Sequence, residues 1–385
     1  MSEMVRLCDI CDFQGGSQPP KEEWSFEKKD DYIRMLQIRD FTQQATTVPE
    51  YIKKSKTIKT CQSDDVLIAR YGASLGKILT GLSGAYNVAI MKTIPDTTKL
   101  EKKYLFYYLT SQLFQGFILN VGSRAAQAGF NKNDLNDLLI PLPPLPEQRH
   151  IAAVLDKVSE LIALRKRQLD LLDEMVKARF VEMFGDCKLN PKKWNTIPLE
   201  DISDVGSSKR VFVEELKDTG IPFYRGTEIG ALAEGKSFSP QLFITTEHYN
   251  ELIAMSEKPS IGDLLMPSIC PDGRIWVVDN ESPFYFKDGR VLWVHPFNKS
   301  FNSIFLLYTL KDRIMTDYSS IASGTTFAEL KIFSLKQCRI FDVPIELQNQ
   351  FADFVRQVDK SKATVQQGLD RLNLLKSALM QEYFG

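Results

Sequence analysis

Moved along itself by 200 residues, this chain comes into register over two long helical segments with no gap. Leu135 falls on Leu335, Ile140 on Ile340, Pro144 on Pro344, Gln148 on Gln348, Ala152 on Ala352 and Val158 on Val358. The match continues through Leu169/Leu369, Leu172/Leu372, Ala178/Ala378, Phe184/Phe384 and Gly185/Gly385. Upstream the echo is weaker and its offset drifts: "VRLCDICD" at Val5 resembles "IPLEDISD" at Ile197, and "DDVLIARYGASLGKI" at Asp64 resembles "GDLLMPSICPDGRI" at Gly262. Few folds suit a duplicated plan of this kind, which predicts two variable globular units, each followed by a similar helix.

The helical segments carry a readable period. Ile151, Leu155, Val158, Ile162, Arg165, Leu169, Leu172, Val176, Arg179 and Met183 are spaced 4-3-4-3. The same slots 200 residues on hold Phe351, Val355, Val358, Lys362, Val365, Leu369, Leu372, Lys376, Leu379 and Tyr383. A mostly apolar stripe at this period must be buried, and the simplest cover for one stripe is the other. Pro146 suits a first helical turn and Gly185 and Gly385 suit stops, which predicts helices of about 35 residues, or roughly 50 Å. Because the first helix hands the chain to the second unit, an antiparallel pair with the units at opposite ends is expected; a parallel pair is the alternative. The proline run "PLPPLP" at Pro141 reads as a stiff joint between a unit and its helix.

At 385 residues the chain is too long for one ordinary core. Its 43% hydrophobic and 25% charged residues are those of a folded protein. Short β-like runs ("DDVLIAR", "NVAIMKTI", "GDLLMPSI", "RIWVV") alternate with amphipathic stretches ("EKKYLFYYLTSQL", "NSIFLLYTLKDRI"). The reading is an α+β unit twice: globular residues 1–145, helix 146–185, globular 186–345, helix 346–385. No apolar run reaches the roughly 18 residues a membrane span needs and the start lacks a signal-peptide pattern, so a cytoplasmic protein is expected. Cys8 and Cys11 form one CxxC with no second pair to complete a zinc site, and no metal is expected.

A net charge of −1 means that a nucleic-acid partner would have to be held by local patches. Such patches exist in Gly-containing loops: "GGSQ" (Gly15–Gln18), "RYGASLGK" (Arg70–Lys77) and "GSRAAQAG" (Gly122–Gly129) in the first unit. In the second they are "GSSKR" (Gly206–Arg210), "YRGTE" (Tyr224–Glu228), "PDGR" (Pro271–Arg274) and "SGTT" (Ser323–Thr326). Arg and Lys can bridge phosphates or fork onto guanine, Ser and Thr can take phosphate or base edges, and Gln can read adenine. Ordinary solvated turns have the same composition. The chain contains no P-loop, GxGxxG after a strand, HExxH or Asn-Pro-Pro-aromatic motif, and His150, His248 and His295 stand far apart. Asp96, Glu101 and Lys103 in "PDTTKLEKK" suggest a metal nuclease, but at a spacing too short for neighbouring strands.

The stretch "LPPLPEQRHIAAVLDKVSELIALRKRQLDLLDEMVKARFVEMFGD" from Leu142 resembles the central conserved region of specificity (S) subunits of Type I restriction-modification enzymes. The resemblance covers the whole chain, with "GSSKRV", "GIPFYRGTEI" and "DVLIARYGASLGK" as further strings; the distal joint "VPIELQNQFADFV" departs from the pattern. It implies two target recognition domains, each reading one half of a bipartite asymmetric site on double-stranded DNA, and a helix pair that sets the spacer. It also implies a chain that is not itself an enzyme, docked to two methyltransferase (M) subunits and, in the full complex, to restriction (R) subunits. S-adenosylmethionine, ATP and magnesium would belong to those partners. Candidate DNA contacts are Ser17, Arg70, Tyr71, Lys77, Ser123, Arg124 and Gln127 in the first unit, and Ser207, Ser208, Lys209, Arg210, Arg225, Arg274, Thr325 and Thr326 in the second. Candidate partner contacts at the joints are Pro144, Glu147, Gln148, Arg149 and Gln348. The alternatives are an S-like subunit whose partner fuses methyltransferase and nuclease, and a two-headed coiled-coil adaptor that does not bind DNA.

Overall fold

The computed structural model describes residues 3–122, 129–297, 301–324 and 328–385. The chain divides into one unit of residues 1–167 and 366–385 and a second of residues 168–365.

In the first unit a four-stranded sheet takes the order Cys11–Gly15, Ile90–Pro95, Leu67–Ala69, Ile78–Leu79, all antiparallel. A second takes the order Glu50–Lys53, Tyr32–Leu36, Gly84–Tyr86, Thr60–Cys61, in which Tyr32–Leu36 and Gly84–Tyr86 run parallel. Met4–Arg6 pairs with Leu139–Pro141, so the start of the unit is stitched to the strand that feeds the long helix. The second unit repeats this frame. Its four-stranded sheet is Ser203–Gly206, Val291–Pro296, Leu264–Pro267, Trp276–Val277. Its mixed sheet is Phe243–Ile244, Ile221–Tyr224, Tyr285–Phe286, again with one parallel pair, and Thr196–Pro198 pairs with Arg339–Phe341. The duplication read from the helices therefore extends through the sheets, where sequence similarity has faded but the order and register of the shared strands persist; among the described residues the second unit's mixed sheet has no counterpart of Thr60–Cys61.

Two differences from expectation have local causes. The first unit's amphipathic stretch is broken into Lys102–Thr110 and Gln112–Gly122 because Ser111 is extended (φ −70°, ψ 157°). Its hydroxyl accepts from the Phe114 N–H, and the Gln115 amide donates to Leu109 O, so one helix is closed and the next opened within two residues. In the second unit the corresponding helix, Ser303–Ile321, is continuous. The long helices, Leu145–Phe184 and Ile345–Phe384, each have 40 residues, more than the 35 expected. The first stops at Gly185, whose φ of +86° lies where glycine is favoured and where a Cβ would press on the Pro191 ring.

Each unit buries one end of each long helix. In the first unit Ile151, Ala152 and Leu155, at the start of one helix, share a core with Phe384 and with Leu379, Met380 and Tyr383 at the end of the other. The Phe384 ring lies 5.1 Å from that of Tyr104 and 6.0 Å from that of Tyr108. In the second unit Phe180 and Phe184, at the end of the first helix, meet Phe351 at the start of the second, at 5.5 and 5.6 Å. Start meets end in both cases, so the pair is an antiparallel coiled coil and the parallel alternative falls. Every heptad slot named above is buried or half-buried except Arg165, which is exposed.

Candidate nucleic-acid interface

The proline joints come first, because they hold each unit to its helix. The Gln148 amide is fully buried: its Oε1 accepts from the Glu101 N–H (2.9 Å), and its Nε2 donates to Lys99 O and Pro143 O (2.8 Å each). Gln348 repeats the clasp, its Oε1 accepting from the Asn302 N–H (2.8 Å) and its Nε2 donating to Val343 O (2.9 Å). The expectation that Gln148 and Gln348 touch a partner is thus corrected: both are internal pins between a helix N-terminus and the first turn of a long helix. Pro144, Glu147 and Arg149 are exposed.

In the first unit the candidate loop residues serve the frame as much as the surface. The Ser17 hydroxyl accepts from the Lys59 N–H (3.1 Å). Arg70 donates to Phe130 O (3.1 Å) and Val88 O (3.3 Å) and lies over the Tyr71 ring at 5.0 Å. Tyr71, 42% exposed, is bridged to Gly129, where any Cβ would sit 2.5 Å from the ring. Lys77 is exposed. Ser123, Arg124 and Gln127 lie outside the described residues.

In the second unit Ser207 and Ser208 turn inward, donating to Val291 O (2.7 Å) and Phe286 O (2.6 Å), and Ser207 also accepts from the Gly289 N–H. These hydroxyls fasten the loop, and both serines are half-buried. Lys209 and Arg210 are exposed, with Arg210 over Phe212 at 5.4 Å. Arg225 opens the helix Gly226–Ala233 and is forked onto Glu228 (Nη2 to Oε1 2.7 Å, Nε to Oε2 3.1 Å). Burial pushes the Glu228 carboxyl up, but its bonds to Arg225 prevail and bring it down to about 2. Arg274 pairs with Asp272 at 2.8 Å. Thr325 and Thr326 lie outside the described residues.

Arg225 and Arg274 share a cleft of about 740 Å³ with two cations the sequence reading missed, Lys287 and Arg290, and with Thr227. Its apolar lining includes the buried Val211, Phe223 and Pro267. A signal for the missed pair was present: "KDGR" (Lys287–Arg290) is a basic turn around a glycine with φ +62°, the same pattern as "PDGR".

The rejected catalytic readings meet ordinary structure. Asp96 caps its own turn through the Thr98 N–H and hydroxyl, Glu101 caps the helix Lys102–Thr110, and Lys103 pairs with Asp156. Burial pushes the Cys11 thiol up to about 12. Among the described residues no three His, Cys, Asp or Glu side chains form a metal-binding group, and no helix is long and apolar enough to cross a membrane.

A duplicated α+β frame, locked by matching clasps and carrying unlike polar loops, defines a two-domain sequence reader with a helical connector. The model of the Type I restriction modification DNA specificity domain matches twice, over residues 1–174 and 191–374, and the chain belongs to that family. Its function is DNA sequence recognition as the specificity subunit of a type I restriction-modification system. The Type I restriction enzyme MjaVIII specificity subunit of Methanocaldococcus jannaschii is 22% identical over 381 residues, covering 93% of this chain and 86% of that one. The type I S subunit from M. genitalium superposes with a TM-score of 0.58 at 16% identity, covering 100% and 96% of the two chains. A chain solved for complex assembly and conformational transition of the type I R-M system gives 0.62 at 20% identity, covering 99% and 97%.

Proposed function

We propose that each unit reads one half of a bipartite, asymmetric site on double-stranded DNA, and that the two long helices, each beginning in one unit and ending in the other, set the unread spacer. Two methyltransferase subunits dock on the chain and act on adenines of opposite strands, which they must extrude from the duplex to reach. Restriction subunits complete the assembly, and S-adenosylmethionine, ATP and magnesium are bound by the partners rather than by this chain. In this reading the exposed loop residues Lys77, Tyr71, Lys209 and Arg210 meet DNA, and the exposed Pro144, Glu147 and Arg149 at the first joint meet a methyltransferase.

One observation carries this reading: two units share strand order, register and clasp, yet differ in the side chains their loops present. A frame copied this faithfully with divergent loops suits a device that presents two different codes in one geometry. The test is a genome-wide map of adenine methylation by long-read sequencing with and without the gene. Loss of one bipartite motif with unlike halves is expected. An unchanged map in cells that make the methyltransferase and yield it in complex with this chain would refute the reading.

A further inference from the structure

Strand register makes the two units comparable position by position. The last parallel pair is Leu36↔Tyr86 in one and Tyr224↔Phe286 in the other, so Gln37 corresponds to Arg225 and Asn87 to Lys287. Backbone bonds agree: the Asn87 N–H donates to Leu36 O, and the Lys287 N–H to Tyr224 O. Likewise the Arg70 N–H donates to Ala89 O and the Ser268 N–H to Arg290 O, which equates Ala89 with Arg290. Three positions of one frame therefore hold Gln, Asn and Ala in the first unit and Arg, Lys and Arg in the second, where all three line the cleft.

Each of those cations is backed by a carboxylate that does not line the cleft. Glu228, 12% exposed, takes two bonds from Arg225; Asp288 lies 3.2 Å from Lys287; Glu329 pairs with Arg290. The arms themselves remain accessible, Arg225 at 48% and Arg290 at 59%. A cation already matched by a carboxylate offers a phosphate little net attraction. Its unused N–H groups, held in a fixed direction, still suit the neutral acceptors O6 and N7 of guanine. Arg225 spends Nε and one Nη2 hydrogen on Glu228, which leaves Nη1 and the second Nη2 hydrogen for a base edge.

We propose that this cleft is the base-reading face of the second unit, with carboxylate-steered Arg225 and Arg290 reading guanine in that unit's half-site, a contact the first unit lacks at Gln37 and Ala89. The inference rests on the proposed function and assigns its chemistry to a place.

The test uses the complete complex with the methyltransferase: methylation maps for wild type, Arg225→Lys and Arg290→Gln, and binding to a duplex carrying the mapped site across a salt series. Lysine keeps the charge and the pairing to Glu228 but loses the fork. A double variant, Arg225→Gln with Glu228→Gln, leaves no unpaired buried carboxylate and guards against misfolding. Relaxed preference at one guanine of one half-site, by roughly 5- to 150-fold, with the other half and the salt slope unchanged, is the expected result. An unaltered motif overturns the assignment, as does weakening that is uniform across sequences with a slope reduced by about one for Arg290→Gln, the mark of a phosphate contact. A wild-type map with no motif dependent on the gene would overturn the proposed function itself.

Discussion

Replacing Gln148 with leucine should destabilise the first unit while leaving its surface intact. The substitution keeps most of the volume but removes three bonds, to the Glu101 N–H, Lys99 O and Pro143 O, in a site with no solvent exposure. Leaving a buried polar group unpaired costs about 1–3 kcal/mol. Pro143 O incurs that fully, whereas Glu101 and Lys99 lie nearer solvent and are partly rehydrated, and the leucine regains about 1 kcal/mol of apolar burial. The net loss is about 3 kcal/mol, or roughly 6–12 °C in Tm for a unit of this size. Thermal unfolding followed with hydrogen exchange at the Glu101 amide measures it: the midpoint falls and that amide loses protection. Glu147→Leu, one residue away and exposed, should stay within about 0.5 kcal/mol. A Gln148→Leu protein within 0.5 kcal/mol of wild type, or one of full stability that no longer co-purifies with the methyltransferase, would refute the clasp and restore Gln148 as a partner contact.

Phe384→Ala and Phe184→Ala should each cost about 3–5 kcal/mol, in the first and second unit respectively, and urea titration with hydrogen exchange should localise each loss to its own unit. Gly16→Ala would place a Cβ 2.1 Å from Asn87 O and 2.4 Å from Tyr86 O, both backbone, and is expected to cost about 2 kcal/mol or more, seen as a lower urea midpoint. The Glu228 carboxyl lies at about 2 in the folded chain against an ordinary 4.5, so its contribution is whole above pH 4.5 and fades as pH falls toward 2. Urea midpoints between pH 6 and 3 should therefore decline less steeply in Glu228→Gln than in wild type; parallel curves would remove the carboxylate from the account.

The helices were legible because their signal is periodic. A 4-3 stripe such as Ile151–Leu155–Val158 states which side of a helix is buried, and a second copy 200 residues on states what covers it. Gln148 and Gln348 were legible as a repeated pair but not as pins, because a glutamine in a first helical turn reads the same whether it faces solvent or the carbonyls of Pro143 and Lys99. The inward bonds of Ser207 and Ser208 are hidden from the sequence for a related reason. Their acceptors, Val291 O and Phe286 O, come from about 80 residues away, and nothing in "GSSKR" announces that two backbone carbonyls will claim both hydroxyls. Lys287 and Arg290 do not stand out in the sequence because "KDGR" sits between two strands and reads as a solvated turn; only pairing of the strands on either side brings it beside Arg225.

The long-range contacts hidden from the sequence bear on how such a chain diversifies. What fixes the frame is backbone hydrogen bonding and buried apolar contact: strand register, the Gln clasps, and Phe184 and Phe384 in their cores. Positions 37 and 225 and positions 87 and 287 follow strand ends, and 89 and 290 immediately precede a strand, where the backbone bonds are made by N–H and C=O groups whatever the side chain. Side chains there can change without disturbing the register that holds them, provided an arginine arrives with its carboxylate. Arg225 has Glu228 three residues on in the same capping turn, and the equivalent turn of the first unit already carries Asp40 behind Gln37, where it accepts from the Gln37 N–H and is paired with Arg34. The acidic cap is thus common to both units, while the residue it faces differs. One turn can therefore present an amide in one unit and a steered guanidinium in the other at little cost to the fold.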